Sequence, residues 1–155
     1  MNKKKMLIYI VHFFNVLILD RVTKYAIIYY LPYLYINSFL SIDLVFNRGV
    51  SWGLFHSNDC TTFAIVNCVI ACIIVGLILH TINRIKHEQN VLGETLILAG
   101  AISNFGDRFI YQGVVDFISV SYQNWYFPIF NVADIYIVIG VLFMMFLEYK
   151  EACKK

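Results

Sequence analysis

Two aspartates late in the chain, Asp116 and Asp134, stand where acid–base chemistry is possible. Asp116 lies in an alternating run, Val114 to Val120, which predicts a short extended segment. Asp134 begins an apolar run that predicts a helix, whose N-terminal dipole favours an anion. The chain between them turns back through an aromatic-rich stretch containing Pro128. We therefore expect the two carboxyl groups to meet.

A pair of carboxyl groups in a poorly hydrated place tends to share one proton, because both cannot ionise easily. The charged member takes a proton from water, and the protonated member polarises a peptide carbonyl. Such a pair hydrolyses a peptide bond without a metal or a covalent nucleophile. Acids inside a membrane also serve ion and proton pathways. The residues alone leave open an aspartic peptidase and a small proton- or ion-conducting membrane protein that uses Asp20 and Asp134.

The elements that carry these residues are apolar runs. Of the 155 residues, 60% are hydrophobic and 14% are charged, whereas soluble domains carry about 25% charge. Four runs approach the length of about 20 residues that a membrane-spanning helix needs. They predict helices over approximately residues 6–28, 61–82, 91–109 and 132–149. We expect an all-α integral membrane protein with four transmembrane helices, forming a single domain over residues 1–155.

Three polar residues recur at one depth in these runs. At a rise of about 1.5 Å per residue, Asp20, Asn104 and Asp134 each lie about 20 Å from the inner end of their helix. Lys24 follows Asp20 by four residues, which is the favoured order for a helical ion pair. Buried polar groups in a membrane normally face the bundle interior, so we expect these residues to line or hold a site.

The basic residues indicate the orientation, because cytoplasmic loops of membrane proteins are enriched in Lys and Arg. Eight of the twelve bases share one predicted side, which puts both termini in the cytoplasm. Residues 30–60 and 110–131 then form a small extracytoplasmic β-like and amphipathic segment, rich in aromatic residues typical of a membrane interface. The eight bases are Lys3, Lys4, Lys5, Arg84, Lys86, Lys150, Lys154 and Lys155.

Neither a metal nor a nucleic acid is expected. The four cysteines contain no C-x-x-C pair and the four histidines no H-E-x-x-H motif. The bases are scattered between apolar runs, whereas a nucleic-acid binder clusters them. We expect no cofactor, and a monomer.

Five short motifs stand in a fixed order between residues 20 and 134 and together resemble the lipoprotein signal peptidase, or signal peptidase II, family. Their order across nearly the whole chain is far more specific than any one motif. They are Asp20-Arg-Val-Thr-Lys24, Asn47-Arg-Gly49-Val-Ser-Trp-Gly53, Gly100-Ala-Ile-Ser-Asn104-Phe-Gly-Asp107-Arg108, Val115-Asp116-Phe117 and Phe130-Asn131-Val-Ala133-Asp134.

The resemblance implies an aspartic endopeptidase of the bacterial inner membrane, with its active site near the extracytoplasmic face. Such an enzyme cuts prolipoproteins just before the diacylglyceryl-modified cysteine and releases the signal peptide. Its partners are lipidated prolipoproteins and membrane lipid, and it needs no cofactor. The two catalytic residues fall on Asp116 and Asp134.

Further roles follow from the same motifs. Asn104 and Asn131 would position the two aspartates or their water, although plain hydrogen bonding between helices would also explain them. Arg108 would contact the substrate backbone or a lipid head group. The resemblance places four residues around the substrate-binding mouth or in support of the two aspartates, and they are Asp20, Lys24, Asn47 and Gly49.

Other positions are expected to matter less. Asp107, beside Arg108, is interpreted as a solvated or capping charge. Ser103 and Trp52 depart from the family pattern and are expected to affect only the fine shape of the pocket. The outer segment 30–60 is expected to move and close over the substrate.

Overall fold

The structure is a computed structural model that describes residues 2–49 and 59–153. Within those residues the chain forms four helices and four strands. In chain order they are α1 (Lys3–Tyr30), β1 (Tyr33–Asn37), β2 (Leu40–Asn47), α2 (Cys60–Lys86), α3 (Leu92–Ile110), β3 (Val114–Tyr122), β4 (Trp125–Tyr126) and α4 (Val132–Ala152).

Local sequence explains where two of the long helices begin. The side chain of Asn2 accepts a hydrogen bond from the backbone N–H of Lys4 at 3.1 Å and caps α1. Asp59 caps α2 in the same way through the N–H of Thr62, at 2.8 Å. Such caps satisfy N–H groups that have no partner inside the helix. α1 ends just before Leu31-Pro32, since the residue preceding a proline is disfavoured in a helix.

Three helices are long and apolar enough to cross a membrane by length and composition. They are α1, α2 and α4, and each exposes large apolar side chains outward, such as Ile18, Ile73 and Leu142. Outward apolar surface of this kind suits a lipid environment. α3 is less apolar because it carries three charged residues, including Glu94, among its 19 residues. These features fit an integral membrane protein.

α3 packs closely against α4 through glycines. A Cβ atom on Gly93 would lie 2.7 Å from the carbonyl oxygen of Gly140, and a Cβ on Gly100 would lie 2.7 Å from that of Ala133. Small residues let two backbones approach in this way. The contact at Gly100 holds the first turn of α4 directly against α3.

The strands form one antiparallel sheet in the order β1-β2-β3-β4. β2 pairs with β3 so that Val45 lies opposite Asp116. An isolated bridge between Ile118 and Phe130 brings the chain back beside β3 just before α4 begins. The sheet is larger than the small β-like segment that was expected. Residues 33–47 form an antiparallel hairpin within that segment, so the all-α class understates the strand content.

Candidate active site

Asp134 lies in the first turn of α4 and takes part in its cap. The side-chain oxygen of Asn131 accepts a hydrogen bond from the N–H of Asp134 at 2.9 Å. In return, Asp134 Oδ2 accepts one from the N–H of Asn131 at 3.1 Å. This reciprocal arrangement is a capping box, in which an N-cap residue and the third helical residue satisfy each other's backbone. The cap fixes where the Asp134 carboxyl group points.

Asp116 lies on β3 and is 3% exposed. Its Oδ2 accepts from Asn47 Nδ2 at 3.0 Å, and its Oδ1 accepts from Asn131 Nδ2 at 2.7 Å. Burial, followed by the negative charge of Asp134, raises the pKa of Asp116 to about 7, since both disfavour the ionised form. The carboxyl group of Asp116 therefore keeps a proton at pH values where an ordinary aspartate has lost it.

The amide of Asn47 is held in one orientation. Its oxygen accepts from the backbone N–H of Gly49 at 3.0 Å, which leaves its NH₂ group to face Asp116. Asn47 was expected at the substrate-binding mouth. In the structure Asn47 is a direct partner of Asp116, and the backbone N–H of Gly49 holds the Asn47 amide in place.

Asn104 on α3 connects the site to α1. Its NH₂ group donates to Asp134 Oδ1 at 2.8 Å. Its oxygen accepts from Asn131 Nδ2 at 3.1 Å and from Lys24 Nζ at 2.7 Å. Since both of these partners are donors, the amide has one favourable orientation. Asn131 and Asn104 thus join Asp116 and Asp134 through a chain of side-chain amides.

Asp116 and Asp134 open onto one cavity of about 550 Å³. Its polar wall also contains Asn47, Gly49, Asn104 and Arg108. The rest of the lining is mostly apolar and comes from α2, α3, α4 and the segment before α4. The apolar residues include Ile70, Ala101, Phe105, Phe127, Ile135, Val138 and Ile139. A peptide bond entering this cavity would reach both carboxyl groups and would be surrounded mostly by apolar side chains.

Arg108 connects the end of β2 to α2. Its guanidinium donates to the carbonyl oxygens of Arg48, at 3.3 Å, and of Gly49. It also donates to Asn67 Oδ1 at 3.3 Å and lies 5.9 Å from the ring centre of Phe63. In this arrangement Arg108 holds the chain just before residue 50. Residues 50–58, which include Trp52 and part of the segment expected to move, lie outside the described residues.

Asp20 and Lys24 lie behind the cavity and do not line it. Asp20 is fully buried, and its Oδ1 accepts from the backbone N–H of Ala133 at 2.9 Å. Lys24 Nζ lies 2.7 Å from Asp20 Oδ2. This placement lies on the supporting side of the aspartate pair and not at the substrate-binding mouth. Asp20 instead satisfies a free N–H of α4, one residue before Asp134.

The interpretation of Asp107 as a solvated or capping charge is wrong. Asp107 is fully buried and lies 2.7 Å from both Arg21 and Lys24. Its Oδ2 also accepts from the backbone N–H of Val115 at 3.2 Å. One signal was available, since Asp107 follows Asn104 by three residues and shares its helix face.

Arg21 and Ser103 also contact the buried acids behind the cavity, a role that was not predicted for them from the sequence. Arg21 pairs with Asp20 at 3.3 Å and donates to the carbonyl of Ser103 at 3.2 Å. The hydroxyl of Ser103 donates to Asp20 Oδ2 at 2.6 Å, so its effect reaches beyond the fine shape of the pocket. Its position directly before Asn104 was the available signal.

The chemistry offered by the site is that of two carboxyl groups surrounded by amide donors. Over residues 2–49 and 59–153, no three His, Cys, Asp or Glu side chains lie together in a way that could hold a metal ion. One carboxyl group with a raised pKa beside a second at a helix N-terminus suits general acid–base hydrolysis.

Comparison with known proteins gives concordant results. A family model described as signal peptidase (SPase) II matches residues 12–150. A lipoprotein signal peptidase of Pelagibacter ubique is 32% identical, over 95% of this chain and 90% of its own length. One from Chlamydia trachomatis serovar D is 43% identical, over 70% and 63% respectively.

Solved structures agree in fold. A bacterial membrane enzyme determined by the in meso method superposes with a TM-score of 0.75 at 33% identity, covering 95% of this chain and 90% of that one. A second such structure gives a TM-score of 0.71 at 32% identity, covering 90% of both chains.

Proposed function

The chain belongs to the signal peptidase II family, and from this membership we propose how it acts: it removes the signal peptide of lipidated bacterial prolipoproteins by hydrolysis at an aspartate pair. Cleavage occurs just before the lipid-modified cysteine. The observation that carries the proposal is the meeting of Asp116 and Asp134 on one cavity, with Asn131 bonded to both.

The two aspartates take different parts. Asp116, whose pKa is raised to about 7, holds the proton and donates it to the oxygen of the scissile carbonyl. Asp134 accepts hydrogen bonds from Asn104 and Asn131 at a helix N-terminus, where an anion is favoured, so it is the carboxylate that activates water. The assignment describes one arrangement of a coupled pair that titrates as a unit.

Hydrolysis then proceeds in two steps. Asp134 takes a proton from water as the water oxygen bonds to the carbonyl carbon, and Asp116 passes its proton to the carbonyl oxygen. When the carbon–nitrogen bond breaks, Asp134 returns its proton to the leaving nitrogen and Asp116 regains one from a hydroxyl of the intermediate. Both groups end as they began, and one water is consumed.

The proposed topology places this chemistry at the outer side of the bacterial inner membrane. Four helices span the bilayer and both termini are cytoplasmic, which the distribution of Lys and Arg supports. The contacts among Asp20, Asn104 and Asp134 support the common depth expected for them, since Lys24 bonds to Asp20 and Asn104, and Asn104 bonds to Asp134. We propose that the enzyme acts as a monomer and binds no nucleic acid.

The apolar wall of the cavity suits a substrate that stays in the lipid. Burial of acyl chains contributes about 0.8 kcal/mol per CH₂ group. Binding energy from such remote groups orients the peptide at the reacting atoms. The enzyme therefore gains specificity for lipidated precursors without drawing their acyl chains into water.

The proposal is tested by incubating the purified protein with a lipidated model precursor and with the same precursor lacking the lipid. We expect cleavage of the lipidated form alone, with a product mass that begins at the modified cysteine. The Asp116→Asn variant should release no product. Equal cleavage of both precursors, or cleavage elsewhere in the chain, would contradict the proposal.

A further inference from the structure

Two buried carboxylates behind the cavity hold the backbone on either side of it in the same way. Asp20 Oδ1 accepts from the N–H of Ala133 at 2.9 Å, and Asp107 Oδ2 accepts from the N–H of Val115 at 3.2 Å. Ala133 directly precedes Asp134, and Val115 directly precedes Asp116. Each member of the aspartate pair is therefore anchored one residue before its own side chain.

One ammonium group joins the two anchors. Lys24 Nζ lies 2.7 Å from Asp20 Oδ2 and 2.7 Å from Asp107 Oδ2. Both carboxylates are fully buried and Lys24 is 2% exposed, so this contact has little room to vary. Arg21 pairs with both acids and balances the charge of the cluster. An unpaired charge in such a place is costly, which favours keeping all the contacts together.

We propose that Lys24, Asp20 and Asp107 form a spacer that sets the separation of Asp116 and Asp134, and that Asp107 is a positioning residue for Asp116. This inference rests on the proposed function, because it assigns the cluster a task in the same reaction. β3 and α4 are successive elements joined by the Ile118–Phe130 bridge and by Asn131, and a shift of α4 relative to β3 changes the distance between the two carboxyl groups. Asp107 anchors the backbone of β3 and Asp20 anchors the first turn of α4. Lys24 binds both carboxylates and so fixes the distance between the two anchors.

The separation of two carboxyl groups has a measurable consequence. Close carboxyl groups share a proton and titrate in two well-separated steps, whereas distant ones titrate together. Activity that requires one proton on the pair therefore has a broad bell-shaped pH profile when the groups are close. Besides Asp134, the groups facing Asp116 are Lys24 on α1, Arg108 on α3, Asn47 on β2 and Asn131 just before α4, and the variants below leave all four in place.

The test compares two variants that keep the cluster electrically balanced. Both carry Arg21→Gln and add either Asp107→Asn or Asp107→Leu, and the unaltered enzyme, whose cluster is also balanced, is the reference. Asparagine keeps an oxygen that can accept from the N–H of Val115, whereas leucine has none. We expect Asp107→Leu to lower kcat about a hundredfold with KM within about twofold of the reference, and to narrow the pH profile. Asp107→Asn should keep the width of the profile and a kcat within about fivefold of the reference.

A reduced yield of folded enzyme lowers the amplitude of the profile but not its width, which separates positioning from a general structural role. Equal profiles for the Asn variant, the Leu variant and the reference would overturn the spacer. If the Leu variant does not fold, Asp107→Glu in the unaltered background provides the test, since it keeps the charge and moves the acceptor oxygen. A folded Glu variant should show a narrowed profile, and an unaltered profile would overturn the inference.

These outcomes are distinct from failure of the proposed function. Precursor cleavage by Asp116→Asn at the unaltered rate would reject the catalytic role of the aspartate pair itself. An inactive Asp116→Asn together with unaltered profiles in every Asp107 variant would reject the spacer alone.

Discussion

The side-chain amide of Asn131 donates to Asp116 Oδ1 at 2.7 Å. The backbone N–H of the same asparagine donates to Asp134 Oδ2 at 3.1 Å. The residue that caps α4 thus holds both carboxyl groups, one from the helix it begins and one from β3. Forming the cap of α4 therefore also assembles the site, and Asn131 is fully buried between β3 and α4.

The raised pKa of Asp116 predicts how activity varies with pH. The proposed reaction needs a proton on Asp116, whose pKa is raised to about 7 by burial and by Asp134. We expect kcat to fall as pH rises above about 7, and to fall again in acid once the pair takes up a second proton. A pH–rate series on a lipidated precursor measures this. A kcat that stays constant up to pH 9 would contradict the assignment.

The same shift predicts a pH-dependent stability. The folded state holds the Asp116 proton up to about pH 7, whereas the unfolded chain loses it near pH 4. The free energy of unfolding therefore falls as pH rises between these values, by at most about 4 kcal/mol, and stays low above them. Asp116→Asn lacks this loss. Thermal unfolding in detergent measures the Tm of the variant minus the Tm of the unaltered enzyme. This difference should be larger at pH 8 than at pH 5, and an equal difference at the two pH values would count against a raised pKa of Asp116.

Gly100 provides a test of how α3 positions α4. A methyl group there would meet the carbonyl oxygen of Ala133 at 2.7 Å, one residue before Asp134. Overpacking of this kind costs about 1–3 kcal/mol and shifts the backbone. We expect Gly100→Ala to lower both Tm and kcat. Gly106→Ala on the same helix is the matched control, because its Cβ meets nothing within 4 Å. Equal behaviour of the two variants would argue against the close contact.

Substitution of Asn104 tests the hydrogen-bond donor that faces Asp134. Its NH₂ group donates to Asp134 Oδ1 at 2.8 Å. Asn104→Asp replaces that donor with a carboxylate, which places two like charges together at neutral pH. We expect kcat to fall by roughly a hundredfold at pH 7, with partial recovery in mild acid as the new group is protonated and donates again. Asn104→Ala should show no such recovery. Activity of Asn104→Asp that is independent of pH would exclude this role.

The positions of the helices and of the main polar residues followed from the sequence. The apolar runs predicted helices close to those observed, because a long buried or lipid-facing stretch has few alternatives. The common depth expected for Asp20, Asn104 and Asp134 agrees with the contacts that now link them through Lys24. That expectation needed only the rise of a helix and no knowledge of packing.

The contacts of the buried charged residues behind the cavity were harder to predict from the sequence. Asp107 and Arg108 are adjacent and look like a local pair, yet adjacent helical residues point in different directions. Asp107 turns towards α1, and Arg108 towards α2 and the end of β2. The hairpin over residues 33–47 was expected only as part of a β-like and amphipathic segment. β1 is almost entirely apolar or aromatic, which hides the alternation that identifies a strand with one solvated side. β2 does alternate over residues 40–44, so a signal for that strand was available.

The central claim is that Asp116 and Asp134 act together on one water molecule. The most direct measurement is the single-turnover rate of precursor cleavage by purified, folded Asp116→Asn and Asp134→Asn enzymes, with Asp43→Asn as the control at an exposed position on the adjoining strand. The account predicts a loss of at least about a thousandfold in both of the first two variants and an unaltered rate in the third. A folded Asp116→Asn or Asp134→Asn enzyme that cleaves at the rate of the unaltered protein would contradict it.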